Sequence, residues 1–290
     1  MQADRPSRTA SFVAMGRALA HAHAAVPGFR DPFALQLLPE DDRAAVERVL
    51  RHERPRTRRE ATMGIVARAT EPIMGTRTVE IDEGLRALAP GFQLVILGAG
   101  LDARAYRMPE LSTSVVFEVD HPASQAFKLR QAAGLRPVAR ELRHVSVDFA
   151  RERVEDALAR AGHATNVPTA WIFEGVITYL TRSEIGSSLD AMAQRSAPGS
   201  RLLATYNEQS VLRRVFSRVT MRSSEPHRTT LTPGEMRALL EQRGFVVCSD
   251  RDGVQRAYRW GIRPTAMDRF GVRFHHVVIA DYLGTRATRA

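Results

Sequence analysis

The 290 residues, 44% hydrophobic and 26% charged, are enough for one large domain, or a domain with an appendage, around a sizeable core, which excludes a disordered chain or a coiled coil. The net charge of +10 contains a single lysine, Lys128, so arginine carries nearly all of the cationic side chains. A nucleic-acid surface would interleave aromatics with its bases, and the densest basic run, residues 51–59 (RHERPRTRR), holds none; a solvated helix face or attraction of an acidic substrate remains.

In chain order, residues 1–90 read as a helical cap. Residues 10–25 are alanine-rich, 39–51 are amphipathic, and 60–69 follow a proline and arginine cluster. The N-terminus lacks the basic-then-apolar order of a signal peptide, and no apolar run is long enough to span a bilayer, so the expected compartment is the cytoplasm. The first strand is expected at Leu94, opening residues 91–290 as the second unit.

There, residues 94–107 (LVILGAGLDARAYR) read as a buried strand, a tight turn and a helix start. Gly98 and Gly100 can take backbone angles that side chains resist and would let a ligand approach the main chain, with the free N–H groups of the new helix favouring an anion. A purely structural turn has the same pattern.

Strand and helix patterns then alternate: strands at 115–119, 144–147, 171–173 and 201–205, with helices at 122–134, 154–162 and 182–196 between them. A segment within residues 207–231 is longer than a simple connection needs and is expected to help form a substrate pocket. A helix at 232–243 and strands at 245–248 and 273–280 complete the pattern. The expected fold is α/β: a doubly wound, mainly parallel, seven-stranded sheet. Cys248, the one cysteine, lies in the apolar run 245–248 (FVVC) and reads as a buried strand residue in a reducing compartment.

Acids recur at the strand ends: Glu118 and Asp120 at the second, Asp148 after the third and Glu174 after the fourth. In an open parallel sheet these ends line one crevice, and an acid about twenty residues after the glycine turn suits a ribose diol. Each acid alone could cap a helix instead. The turn, G-A-G-L-D-A, also satisfies the nicotinamide dinucleotide pattern, so an oxidoreductase is an alternative, as is a binding protein without catalysis.

The order of several motifs narrows these readings. Residues 6–10 (PSRTA), 31–34 (DPFA), 77–82 (RTVEID), 95–107 (VILGAGLDARAYR), 117–122 (FEVDHP), 144–149 (HVSVDF), 168–180 (PTAWIFEGVITYL) and 197–200 (APGS), then Glu225-Pro226 and 243–245 (RGF), resemble the leucine carboxyl methyltransferase-like family of class I S-adenosylmethionine-dependent methyltransferases, which includes polyketide carboxyl O-methyltransferases. The resemblance implies a Rossmann-like catalytic domain behind the N-terminal cap. It makes S-adenosylmethionine the expected cofactor, with Gly98 and Gly100 at its turn, Asp120 on the ribose, Asp148 and Phe149 beside the adenine, and Glu174 at the methionine end. Arg77 resembles the arginine that pairs with the methionine carboxylate, with Arg68 as its rival. Phe149 stands where the family often has leucine, and an aromatic there can stack on adenine.

The expected reaction is O-methylation of a small-molecule carboxylate, which is already ionised at neutral pH; a phenol or alcohol acceptor would need a base or a nearby positive charge. Tyr179, Tyr206, His227 and Arg228 are the candidates for such roles. No metal is assigned. Neither the acceptor nor the oligomeric state follows from the sequence.

Overall fold

A computed structural model describes residues 7–148, 151–208, 228–263 and 273–284. Three helices lead: α1 (Arg8–Ala22), α2 (Glu40–Leu50) and α3 (Arg58–Arg86). The third is 29 residues long and runs straight past Pro72, where the sequence suggested a helix only over 60–69. Proline removes one helical hydrogen bond; the helix continues because its own residues 74–85 are almost all buried against the rest of the fold.

The sheet follows: β1 (Gln93–Leu97), β2 (Val115–Asp120), β3 (Glu141–Ser146), β4 (Thr169–Phe173), β5 (Arg201–Asn207), β6 (Phe245–Arg251) and β7 (His275–Tyr282), in spatial order 3-2-1-4-5-7-6. The first five strands are parallel, and β7 inserts antiparallel between β5 and β6. β1 and β4 are buried along their whole length, which is why they read as unbroken apolar runs. Asn207, expected in the segment beyond the fifth strand, is the last residue of β5; residues 209–227 of that segment lie outside the described residues.

The connecting helices are α4 (Arg104–Arg107), α5 (Pro122–Gln131), α6 (Val154–Arg160), α7 (Arg182–Gln194), α8 (Pro233–Glu241) and α9 (Gly253–Arg259). Thr181, Thr232 and Asp252 start the last three with reciprocal capping boxes to Glu184, Glu235 and Gln255, which satisfy N–H groups a helix start leaves open. Two apolar cores cover the sheet. One packs α1, α2 and α3 on one face through Met15, Leu19, Val46, Ile81 and Leu94. The other packs α7 and α8 on the opposite face through Trp171, Leu189, Leu202 and Met236. Helices on both faces of a mostly parallel sheet are the doubly wound arrangement.

Cys248 differs from its expectation: it is exposed. The edge strand β6 buries Phe245 and turns Val246 and Cys248 to the open face, because strand side chains alternate. Its thiol reaches Asp281 Oδ2 at 3.3 Å, and burial together with that carboxylate pushes the thiol pKa up, away from a reactive thiolate. Among the described residues no helix is long and apolar enough to cross a membrane.

Candidate active site

The strand-to-turn transition after β1 is where backbone conformation and site geometry coincide. Gly98 has φ +67°, and a Cβ there would lie 2.7 Å from Val176 Cγ2; Gly100 has φ +45° and would bring a Cβ to 3.2 Å from the Ala10 methyl on α1. Both positions require glycine, on grounds of conformation and of space. The expectation of free N–H groups at a following helix is corrected. α4 is a single turn, the Gly100 N–H donates to Asp120 Oδ2 at 2.5 Å, and the Arg104 N–H donates to Asp102 Oδ1 at 2.7 Å.

Asp120 ends β2 and also accepts the His121 N–H at 2.6 Å. Burial pushes its carboxyl up from the ordinary value, and the two N–H donors only partly offset this. The two hydrogen bonds fix both oxygens, whose remaining lone pairs can accept from a pair of hydroxyls. Glu118, one pleat earlier on the same strand, differs from the sequence reading. It is wholly buried against Lys128 Nζ, at 2.7 Å, and His144 Nδ1, at 3.4 Å, so it ties α5 and β3 to β2.

Glu174 follows β4 and meets two arginines. Arg77 Nε, from α3, donates to Oε1 at 2.7 Å, and Arg104 Nη1 donates to Oε2 at 2.9 Å. Burial alone would raise the Glu174 carboxyl; Arg77 and Arg104 outweigh it and hold the pKa below its ordinary value. A fixed guanidinium and a fixed carboxylate side by side match the two ends of an amino-acid zwitterion. Arg68, two and a half turns earlier on α3, points elsewhere: it is exposed and its Nη2 reaches Val49 O at 3.4 Å.

The remaining candidates divide. Asp148 lies just past β3, half-buried, with Arg151 Nε at 3.6 Å. Phe149 and His227 lie outside the described residues. Tyr179 joins its hydroxyl to Thr9 on α1 at 3.1 Å, fastening the loop after β4 to the first helix. Tyr206 is buried and its hydroxyl donates to Asp250 Oδ2 at 2.6 Å; burial and that carboxylate push its pKa far up, so it is held as a donor. Arg228 is exposed, with Glu184 Oε2 at 3.5 Å, and does not join the Glu174 group.

Apart from Arg77, the sequence reading gave no role to the residues that hold Glu174 or brace its partners. Arg104, almost fully buried, donates through Nε to Asp82 Oδ1 at 2.8 Å and through Nη1 to Asp102. Arg107 takes Asp82 in a bidentate contact at 2.7 and 3.0 Å. Arg17 lies 3.3 Å from Asp31 and donates to Leu101 O at 2.6 Å. Asp102 is held down to about 2: burial opposes ionisation, and Arg104 and Arg17 outweigh burial. A signal was present, because Asp31, Asp82, Asp102, Arg104 and Arg107 all fall within the quoted motifs.

The profile of a family described as leucine carboxyl methyltransferase matches residues 10–193, the stretch carrying every group from Gly98 to Glu174. A protein of Mycobacterium bovis (strain BCG / Pasteur 1173P2), named "Putative S-adenosyl-L-methionine-dependent methyltransferase", is 40% identical over 210 residues, covering 67% of this chain and 64% of that protein. A protein named likewise from Streptomyces coelicolor is 42% identical over 141 residues, covering 48% and 50%. The chain thus matches less than two thirds of the length of these relatives. A crystal structure from Thermobifida fusca titled as a "putative methyltransferase" superposes with a TM-score of 0.56 at 18% identity, covering 96% of each chain. One of a DUF574 family protein from Streptomyces avermitilis superposes at 0.53 and 14%, covering 91% and 97%. At these identities the superpositions establish the class I, Rossmann-like fold.

Proposed function

From the premise that the chain belongs to the leucine carboxyl methyltransferase family, we propose that it is an S-adenosylmethionine-dependent O-methyltransferase that esterifies the carboxylate of a small molecule. The observation that carries this reading is the Arg77–Glu174 pair at the end of β4, next to β1 with its glycine turn and to the Asp120 end of β2. These residues fit the cofactor. Gly98 and Gly100 form the tight turn that brings the main chain onto Asp120, Asp120 offers acceptors to two ribose hydroxyls, and Arg77 and Glu174 offer opposite charges to the carboxylate and ammonium of the methionine end.

When bound, this cofactor supplies a methyl group on a sulfonium, open to in-line displacement. The protein's share is then alignment, which can lower a barrier by roughly 7 to 11 kcal/mol. A carboxylate acceptor, with a reference pKa of about 4, needs no base, whereas a phenol near 10 does. Tyr206, held protonated against Asp250, is not that base. The arginine-rich surface suits an anionic acceptor as well.

The test is incubation with methyl-labelled S-adenosylmethionine and a panel of small acids and phenols. Alkali-labile labelled product supports esterification. Alkali-stable product would replace it with ether formation on a hydroxyl.

A further inference from the structure

Beyond β4 the C-terminal edge of the parallel sheet continues onto β5, whose last residues have no part in holding the cofactor. Phe173 pairs with Ala204 in the β4–β5 ladder, so the next step of the register sets Thr205 beside Glu174. The Gly175 N–H agrees with that placement, donating to Thr205 Oγ1 at 2.7 Å. Leu203 belongs to the core beneath α1, α2 and α3, and Leu202 to the opposite one. Strand side chains alternate, so Thr205 and Asn207 lie on the α3 face, where Arg77 meets Glu174. One strand spacing and two residues of strand separate the main chains of Glu174 and Asn207, about 8 Å.

Asn207 stands on a fixed platform. Its carbonyl accepts from the Leu231 N–H at 3.0 Å, and it pairs with His275 across the antiparallel β5–β7 ladder. The adjoining loop after β4 is tied down by the Arg228 N–H, which donates to Thr178 O at 2.8 Å. Asn207 is only 6% exposed, yet among the described residues its side-chain amide makes no hydrogen bond. Unlike Arg256 Nε and Nη2, its oxygen and nitrogen are not sealed from solvent. An amide so nearly enclosed is completed by water or by a ligand.

The cofactor reading uses the ends of β2, β1 and β4, and β5 is the next strand in spatial order, so a second reactant lying beside the first meets Asn207. The chemistry of esterification also selects such a donor. As the oxygen–methyl bond forms and the carbon–sulfur electron pair goes to sulfur, the acceptor carboxylate loses its charge. An arginine on that carboxylate would stabilise the starting anion more than the transition state. A neutral amide N–H holds one oxygen with a weaker bond and leaves the other to attack. The carboxylate of the methionine end does not react, and there a guanidinium carries no such penalty.

We propose that Asn207 is an acceptor-binding residue, whose Nδ2 donates to the carboxylate of the small-molecule acid. This rests on the esterification reading above. Neither the motifs of the sequence nor the family resemblance assigns Asn207 a role.

Calorimetric titration of the full chain, loaded with S-adenosylhomocysteine at mildly alkaline pH, tests this with benzoate and hexanoate and with their neutral amides. Wild type is compared with Asn207→Ala and Asn207→Asp. Asn207→Ala should weaken the acid that wild type binds about threefold to tenfold. Asn207→Asp keeps the shape and replaces a donor with an anion; it should weaken the acid at least tenfold and leave the amide, whose N–H groups can donate to the new carboxylate, no weaker. S-adenosylhomocysteine should bind all three proteins alike. Acid affinity unchanged in Asn207→Ala overturns the assignment, and should that variant not fold, equal weakening of acid and amide in Asn207→Asp does so. Parallel weakening of acid, amide and S-adenosylhomocysteine marks general damage and overturns it too. Wild type that binds S-adenosylhomocysteine but neither acid would instead overturn the esterification reading, and the role of Asn207 with it.

Discussion

The two ends of the crevice are built on opposite plans. On the β1–β2–β4 side the charged groups are matched: Asp82, Asp102 and Glu174 share Arg104, with Arg107 and Arg77 closing the set. On the β5–β7–β6 side, Arg256 is buried and donates to the main-chain carbonyls of Arg251 and His275, with no ion pair among the described residues. The matched end is organised before any ligand arrives.

Breaking the matched end should give the largest effect. Arg104→Met leaves three buried carboxylates short of their shared cation, and removing one partner of a buried pair costs about 3–5 kcal/mol; urea denaturation should show a loss of that size. Gly98→Val forces a side chain into a positive-φ site 2.7 Å from Val176, and strain plus overpacking should cost about 3 kcal/mol, with S-adenosylhomocysteine binding abolished in calorimetry.

Acid should act on the same end. The Asp102 carboxyl is near 2 when folded against a reference of 3.8, so its contribution is fully present above about pH 4 and is lost as pH falls toward 2. That contribution is about 2 kcal/mol, and Asp102→Asn should flatten that part of the stability curve measured by denaturation between pH 2 and 5. At the other end, Tyr206→Phe removes one hydrogen bond to Asp250, costing about 1 kcal/mol, and should leave the turnover number for an acid acceptor unchanged; a large fall in turnover would make Tyr206 a participant. Arg228→Ala, at an exposed pair, should change stability by less than about 0.5 kcal/mol and leave methyl transfer rates as they were.

What the sequence revealed follows the same division. The glycine turn and Asp120 were legible because conformation and chemistry are local: a strand, two glycines and an acid at fixed spacing. Arg77 and Glu174 were legible separately, through the family resemblance, but not as an ion pair, since 97 residues separate them. Arg104 and Asp82 lay within the quoted motifs yet received no role, because a buried charge inside a helix reads like a solvated one until its partner is known. α3 was read short because Pro72 is a break signal that the buried 74–85 face overrides. Cys248 was misplaced because an apolar run does not reveal that its strand is an edge. Arg256 carried no signal at all: in the sequence it is one arginine of an arginine-rich helix, and only its burial sets it apart.

The central claim is that the crevice between Gly98, Asp120 and Glu174 holds S-adenosylmethionine. Calorimetric titration with S-adenosylhomocysteine and, separately, NADH tests it most directly, on wild type and on Asp120→Ala. The account predicts saturable one-to-one binding of S-adenosylhomocysteine, weakened at least tenfold by Asp120→Ala, and no binding of NADH. Binding of NADH without S-adenosylhomocysteine, or S-adenosylhomocysteine affinity indifferent to Asp120, would contradict it.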